Sequence, residues 1–313
     1  MLLPLKHIIR LCLYFILLGS VTSCQSWREA GNTMIQADSL LTNRVIMQDT
    51  ATLANVIDTW DHFIVRYITR DKLAKAYYLM GRNMDDYHHH YADAADFYIQ
   101  ADRLNTRDHI LRGRINSCMG FICKQDSCFE EALVFYERAN IAFAKTDNQK
   151  RYANGLLSIA EQYVNLKEYN KADSILQIAN NYDIDSTYHA MLIETRGLYF
   201  FALQQYDSAL TYFLRIENFP RPLEARCYSY MKIMQIYNQM HDYSNAIEYA
   251  KYIILHSSNP NYRLNAYYHL IDYAKMHDDM ELLTNYSHER DDENRKIQDN
   301  AECYAQASSK LKS

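Results

Sequence analysis

The residues of this 313-residue chain best suited to chemistry are its imidazoles and thiols. His88-His89-His90 lies between Met84 and Tyr91. Imidazoles bind metal ions, but consecutive residues do not converge on one ion, and no carboxylate-and-cysteine set brackets the run at ligand spacing. It reads instead as a longer turn inside a helical hairpin. Cys118, Cys123 and Cys128 are spaced by five. Residues five apart on a helix diverge by about 140°, so Cys118 and Cys123 do not share a face. Cys123 ends one helix and Cys128 begins the next. A disulfide across that turn stands as the alternative to the plainer reading, in which these thiols are small core fillers. The other Cys residues, Cys12, Cys24, Cys227 and Cys303, complete no disulfide framework of a small secreted fold. No nucleotide loop, Ser-His-Asp arrangement or H-E-x-x-H motif is present. The sequence therefore predicts no catalytic residue, no cofactor and no metal, and reads as that of a non-enzyme.

What positions these residues is helical. Seven Gly and four Pro are too few for a turn-rich sandwich or barrel, and favour helices joined by short polar turns. Tyr, at 28 residues, packs an apolar ring while its hydroxyl stays wet, which suits layers of half-buried helices. The net charge of −5 gives no strong pull toward nucleic acid. The length exceeds an ordinary single domain but suits a repeat array.

The repeat is carried by small residues. Ala94, Ala132, Ala172, Ala209 and Ala246 follow one another at steps of 38, 40, 37 and 37. Twelve residues before the last four stand Gly120, Ala160, Gly197 and Met234; Gly81 stands thirteen before Ala94. Seven residues after them come Ala101, Ala139, Ala179, Ile216 and Ile253, and three before them Tyr91, Phe129, Tyr169, Tyr206 and Tyr243. Two helices approach closely only where the crossing residues are small, and the aromatic closes the turn. Met234 predicts looser packing near the C-terminus. Gly113–Ala139 is the cleanest copy.

This pattern resembles the tetratricopeptide repeat (TPR), over five units from Ala74 to about Ser258, with a weaker sixth over Arg263–Tyr286. The period exceeds the family's roughly 34 residues, and the first-helix Trp is replaced by Tyr77, Asn116, Leu156, Ile193 and Tyr230. The resemblance implies an all-α right-handed solenoid of helical hairpins whose first helices line a peptide-binding groove. The family's groove positions fall on Lys75, Tyr78, Arg82, Asp85 and Asp86 in the first unit, and on Arg114, Ser117, Phe121, Lys124 and Gln125 in the second. In the third they fall on Asn154, Leu157, Glu161, Val164 and Asn165, and in the fourth on Met191, Glu194, Leu198, Phe201 and Ala202. In the fifth they fall on Tyr228, Met231, Gln235, Asn238 and Gln239. The basic, aromatic N-terminal end and the apolar fourth unit suit a peptide with an acidic end and an apolar body. Lys75, Arg82 and Arg114 do not reproduce the family's carboxylate-clamp set.

The N-terminus reads as an address. Lys6 and Arg10 precede an apolar run, Leu11–Leu18, and then small residues, which is the layout of a secretory signal peptide. Val21-Thr22-Ser23-Cys24 resembles the lipobox of bacterial lipoproteins, which implies lipid attachment at Cys24. It places the mature chain in the cell envelope, on the periplasmic side of the outer membrane rather than the cell surface. The expected organisation is a signal peptide over 1–23, a linker and capping helices over 24–69, the array over 70–286, and a charged, solvated helix or tail over 287–313. Lipobox-bearing TPR chains of this kind resemble those of Bacteroidetes-type bacteria. The leading expectation is a protein- or peptide-binding scaffold or sensor, held to the membrane by its lipid, with no nucleic acid and no small-molecule cofactor. A glycan-uptake binding lipoprotein is the alternative, and an enzyme is the third reading.

Overall fold

A computed structural model describes residue 54, residues 70–85 and residues 90–312. The signal peptide, Cys24, the capping helices expected before residue 70, and Asp86, His88 and His89 lie outside the described residues. The chain divides into two compact units, with the boundary between Arg107 and Asp108.

In the first unit, α1 (Arg70–Asn83) and α2 (Tyr91–Arg103) form a hairpin. Gly81 faces the fully buried ring of Tyr98; a Cβ at that position would stand 2.5 Å from the ring. Behind the hairpin, Thr106 Oγ1 and the Arg107 N–H donate to the Asp71 carboxylate.

The second unit holds five more hairpins. They are α3 (His109–Gln125) with α4 (Phe129–Phe143), α5 (Gln149–Asn165) with α6 (Tyr169–Ala179), and α7 (Ser186–Ala202) with α8 (Tyr206–Arg215). Then come α9 (Leu223–Gln239) with α10 (Tyr243–His256), and α11 (Pro260–Met276) with α12 (Met280–Lys312). A 3-10 turn, Ile216–Asn218, follows α8. No strand occurs among the described residues. First helices pack side by side, α5 on α7 and α9 on α11.

Local chemistry sets the helix ends. Asp108, Asn148, Asp185 and Asn259 each accept a backbone N–H from the first turn of α3, α5, α7 and α11, which satisfies donors the helix leaves open. The turns inside the hairpins are copies of one another. Ser127, Lys167, Gln204, His241 and Asp278 all take left-handed φ, between 55° and 62°. Around Ser127, its own N–H reaches Lys124 O and the Cys128 N–H reaches Cys123 O. The same pair of bonds closes each of the other four turns. This is the Schellman arrangement, which glycine usually serves; here no glycine has positive φ among the described residues. The expected aromatics, Tyr91, Phe129, Tyr169, Tyr206 and Tyr243, each begin the second helix of their hairpin.

Two expectations are modified. Met234 does not loosen its hairpin: it is fully buried, in one cluster with Ala246 and Ala250. The segment after residue 286 is part of α12, and it is not solvated throughout. Glu293 is 2% exposed and Ala307 and Ser308 are buried. Arg263 on α11 donates to Glu293 at 2.9 Å, which makes burial of that charge tolerable. The thiols of Cys118, Cys123, Cys128, Cys227 and Cys303 are free, and Cys123 and Cys227 are buried.

Candidate functional site: the groove of the second unit

In a stack of hairpins, each first helix turns one face to its own second helix and another to the open side. On α3, Gly120 and Cys123 face inward, which leaves Phe121 and Lys124 outward. The same phase on α5 presents Leu157 and Glu161, and on α7 Met191, Glu194 and Leu198. These side chains meet around a cavity of about 780 Å³. Tyr136, Arg221, Glu224, Tyr228, Asn259, Asn261 and Tyr262 also line it. That volume lies in the range of a ligand pocket.

Two ion pairs cross the wall between neighbouring elements. Lys124 on α3 donates to Glu161 on α5 at 3.2 Å. Arg221, in the loop before α9, donates to Glu194 on α7 and, at 2.6 Å, to Ser229 Oγ. Burial pushes the Glu194 carboxyl above its ordinary value, and Arg221 only partly opposes this. Burial also raises the Tyr136 and Tyr228 hydroxyls, and Tyr262 to about 12, with nearby Glu charges adding to it. These hydroxyls stay protonated and can donate. Glu224 is engaged at the rim by the hydroxyls of Ser257 and Ser258 and by the Ser258 N–H.

Beyond Tyr228 on α9 comes Lys232. Its Nζ lies 5.6 Å from the centroids of both Phe201 and Tyr228. It donates to Gln235 Oε1 at 3.3 Å, and Gln235 passes a hydrogen bond to Asn265 on α11 at 3.0 Å. Burial lowers the amine's pKa, although Glu161 and Glu194 act in the opposite sense.

Of the residues named from sequence, Phe121, Lys124, Gln125, Leu157, Glu161, Asn165, Met191, Glu194, Leu198 and Tyr228 are brought together around the cavity, with Phe201 at its edge beside Lys232. Arg114 is exposed on α3 and is not among the cavity residues. Asn154 carries a buried Oδ1 that makes no hydrogen bond. Lys75, Tyr78 and Arg82 lie on α1 in the first unit; Tyr78 is 5% exposed and packs on Tyr98 at 6.2 Å. The Lys124 charge, read from sequence as part of a basic end, is neutralised by Glu161. Sequence reasoning did not single out Arg221, Tyr262 or Lys232. Arg221 comes from a connection that repeat register does not reach, and Lys232 falls one residue from a groove position, where only its i+4 relation to Tyr228 marks it. Among the described residues no His/Cys/Asp/Glu cluster could hold a metal ion, and no helix is long and apolar enough to cross a membrane.

No protein-family model matches the sequence, and no curated protein matches it. Solved structures do resemble the fold. A tetratricopeptide repeat protein from Parabacteroides merdae is 14% identical with a TM-score of 0.55, covering 90% of this chain and 99% of its own. A Rap protein complexed with Competence and Sporulation Factor is 15% identical with a TM-score of 0.56, covering 86% and 81%. The anaphase-promoting-complex subassembly Cut9-Hcn1 is 14% identical with a TM-score of 0.55, covering 90% of this chain and 55% of that one. At these identities the likeness establishes the fold: an all-α, right-handed solenoid of TPR-like hairpins.

Proposed function

We propose that the groove of the second unit binds a segment of a protein partner, and that the chain is a lipid-anchored scaffold or sensor of the bacterial cell envelope. The observation that carries the binding reading is the cavity itself. Five successive hairpins contribute residues to one space of about 780 Å³, in which apolar side chains alternate with ion pairs and tyrosine hydroxyls. Such a mixture suits a peptide, which presents both side chains and an unpaired backbone, better than a purely apolar ligand. The envelope reading rests on the N-terminal signal layout and on Cys24 in its lipobox-like setting. A binding scaffold needs no reaction chemistry, and the proposal includes none.

A photo-crosslinking amino acid placed at Leu198, inside the groove, tests the binding reading in cells against one at Ile141, which is 62% exposed on α4. The expected result is a partner protein joined at Leu198 and not at Ile141. Equal yields from both positions would remove the groove as the binding site. Cys24→Ser tests the anchor separately: the variant should leave the membrane fraction, and unchanged membrane association would refute lipid attachment there.

A further inference from the structure

Four of the groove's charges are matched in two ion pairs. Lys124 is held by Glu161, Arg221 by Glu194, and Glu224 by two serines. Lys232 makes no ion pair with any carboxylate among the described residues; its polar contact is the neutral Gln235 amide. An ammonium carries three N–H donors, so two are left for a ligand. The amine is held by the rings of Phe201 and Tyr228, one of which lines the cavity. Glu161 and Glu194 act on the amine from a distance, but withdrawing a charge from water without a counter-charge in contact is costly, and an incoming carboxylate would relieve that cost while forming charge-assisted hydrogen bonds.

We propose that Lys232 anchors the side-chain carboxylate of a glutamate in the bound peptide. The inference rests on the peptide-groove reading and names the chemistry of its ligand. A side chain suits the geometry better than a chain terminus. Lys232 stands one helical turn, about 5.4 Å, beyond Tyr228. Lys232 is not itself a lining residue of the cavity, so reaching it from a backbone beside Tyr228 takes a long acidic side chain. Gln235, tied to Asn265, fixes the amine's direction, and the residue is half-buried beside the two rings. The carboxylates of Glu161 and Glu194 are engaged by Lys124 and Arg221 and act on the amine without contacting it.

The test uses the full-length protein and an N-acetylated, C-amidated random heptapeptide library, so that the only carboxylates are those of side chains. Peptides selected by the wild type should be enriched in glutamate. For the best of them, Lys232→Met should weaken Kd by about ten-fold or more, and Lys232→Arg should restore much of it. Replacing the peptide's Glu by Gln should weaken binding to the wild type equally and cost nothing further in Lys232→Met. Unchanged helicity in Lys232→Met separates this from misfolding. Selected peptides without acidic enrichment, or a Glu→Gln loss equal in both proteins, would overturn the anchor. So would a free-acid peptide lacking Glu that binds through Lys232. Peptides that bind regardless of Lys232 but fail with Leu198→Asp would leave the groove reading standing and remove this one. A library from which nothing is selected would remove both.

Discussion

Gly197 on α7 stands against the ring of Phe213 on α8, so close that a Cβ at 197 would lie 2.9 Å from Cε2. Gly120 has the same relation to Tyr136, and Gly81 to Tyr98. In the α5–α6 hairpin the corresponding positions are Ala160 and Leu176, buried in one cluster. In α9–α10 they are Met234 and Ala250. Across five hairpins the facing pair keeps a roughly constant combined size: glycine meets an aromatic ring, alanine meets leucine, and methionine meets alanine. Close packing requires this, because interior space is filled to near-crystalline density.

Gly197→Ala sets two effects against each other. Alanine gains about 1 kcal/mol of helix propensity over glycine, but overpacking against a fully buried ring costs about 1–3 kcal/mol. Phe213 is 0% exposed and has nowhere to go, so a net loss is expected. Phe213→Leu alone should also destabilise, through a cavity. Together the two recreate the Ala160–Leu176 pairing. Urea denaturation should show the double variant more stable than the sum of the single effects, by about 1 kcal/mol. Strict additivity would mean that the sizes are not coupled. Gly113→Ala, whose Cβ would lie 2.2 Å from Phe143, should be worse than Gly197→Ala.

The five repeated turns invite the opposite substitution. Lys167, Gln204 and His241 hold φ near 60°, a region that costs a residue with a Cβ about 1 kcal/mol. Glycine removes that cost and gives back part of it as chain entropy. Lys167→Gly and His241→Gly are each expected to raise the melting temperature by a small, additive increment. A drop on either change would show that the side chain, and not the turn, is what that position uses.

How much of this could be read in the sequence depends on where the information sits. The hairpins were legible because close helix crossings demand small residues at fixed spacing, and Ala132, Ala172, Ala209 and Ala246 supply them. The cavity wall was legible on α3, α5 and α7 for the same reason: once the inward face is known, the outward one follows. The turns were not legible as Schellman motifs, because Ser, Lys, Gln, His and Asp stand where glycine is the usual sign. Arg221 could not be placed, since its partner Glu194 lies 27 residues away, outside repeat register. The burial of Glu293, in the middle of a charged run, is visible only once Arg263 is seen beside it.

The end of α12 tests how non-local contacts hold the second unit together. Ser308 Oγ donates to the Asp126 carboxylate, 182 residues earlier, beside the turn that ends α3. Lys312 reaches Glu131 at 3.9 Å and the Cys128 thiol. Ser308 and Ala307 are buried. Ala307→Arg should expel these turns, and losing the buried Ser308 contact alone should cost about 1–3 kcal/mol. Amide exchange is the measurement. Protection should fall over residues 301–312 and persist in α5 and α7. Unchanged protection at the C-terminal turns would show that they are held by something other than this contact.

Lys232 joins stability to pH. Burial lowers its pKa below the ordinary 10.5, with Glu161 and Glu194 partly offsetting the effect. The unfolded chain therefore binds the proton more tightly than the folded one. A group depressed in this way favours folding above the unfolded value and loses that favour as pH falls through the folded value. At neutral pH the charged amine is a net cost of the ligand-free protein. Lys232→Met should accordingly melt at a higher temperature than the wild type near pH 7, and the gap should shrink as pH rises toward 10.5. Thermal unfolding followed by circular dichroism at pH 6, 8 and 10 reads this directly. A variant less stable than the wild type throughout would mean that the rings of Phe201 and Tyr228 more than compensate the buried charge. Lys232 would then be a structural cation rather than one held ready for a ligand.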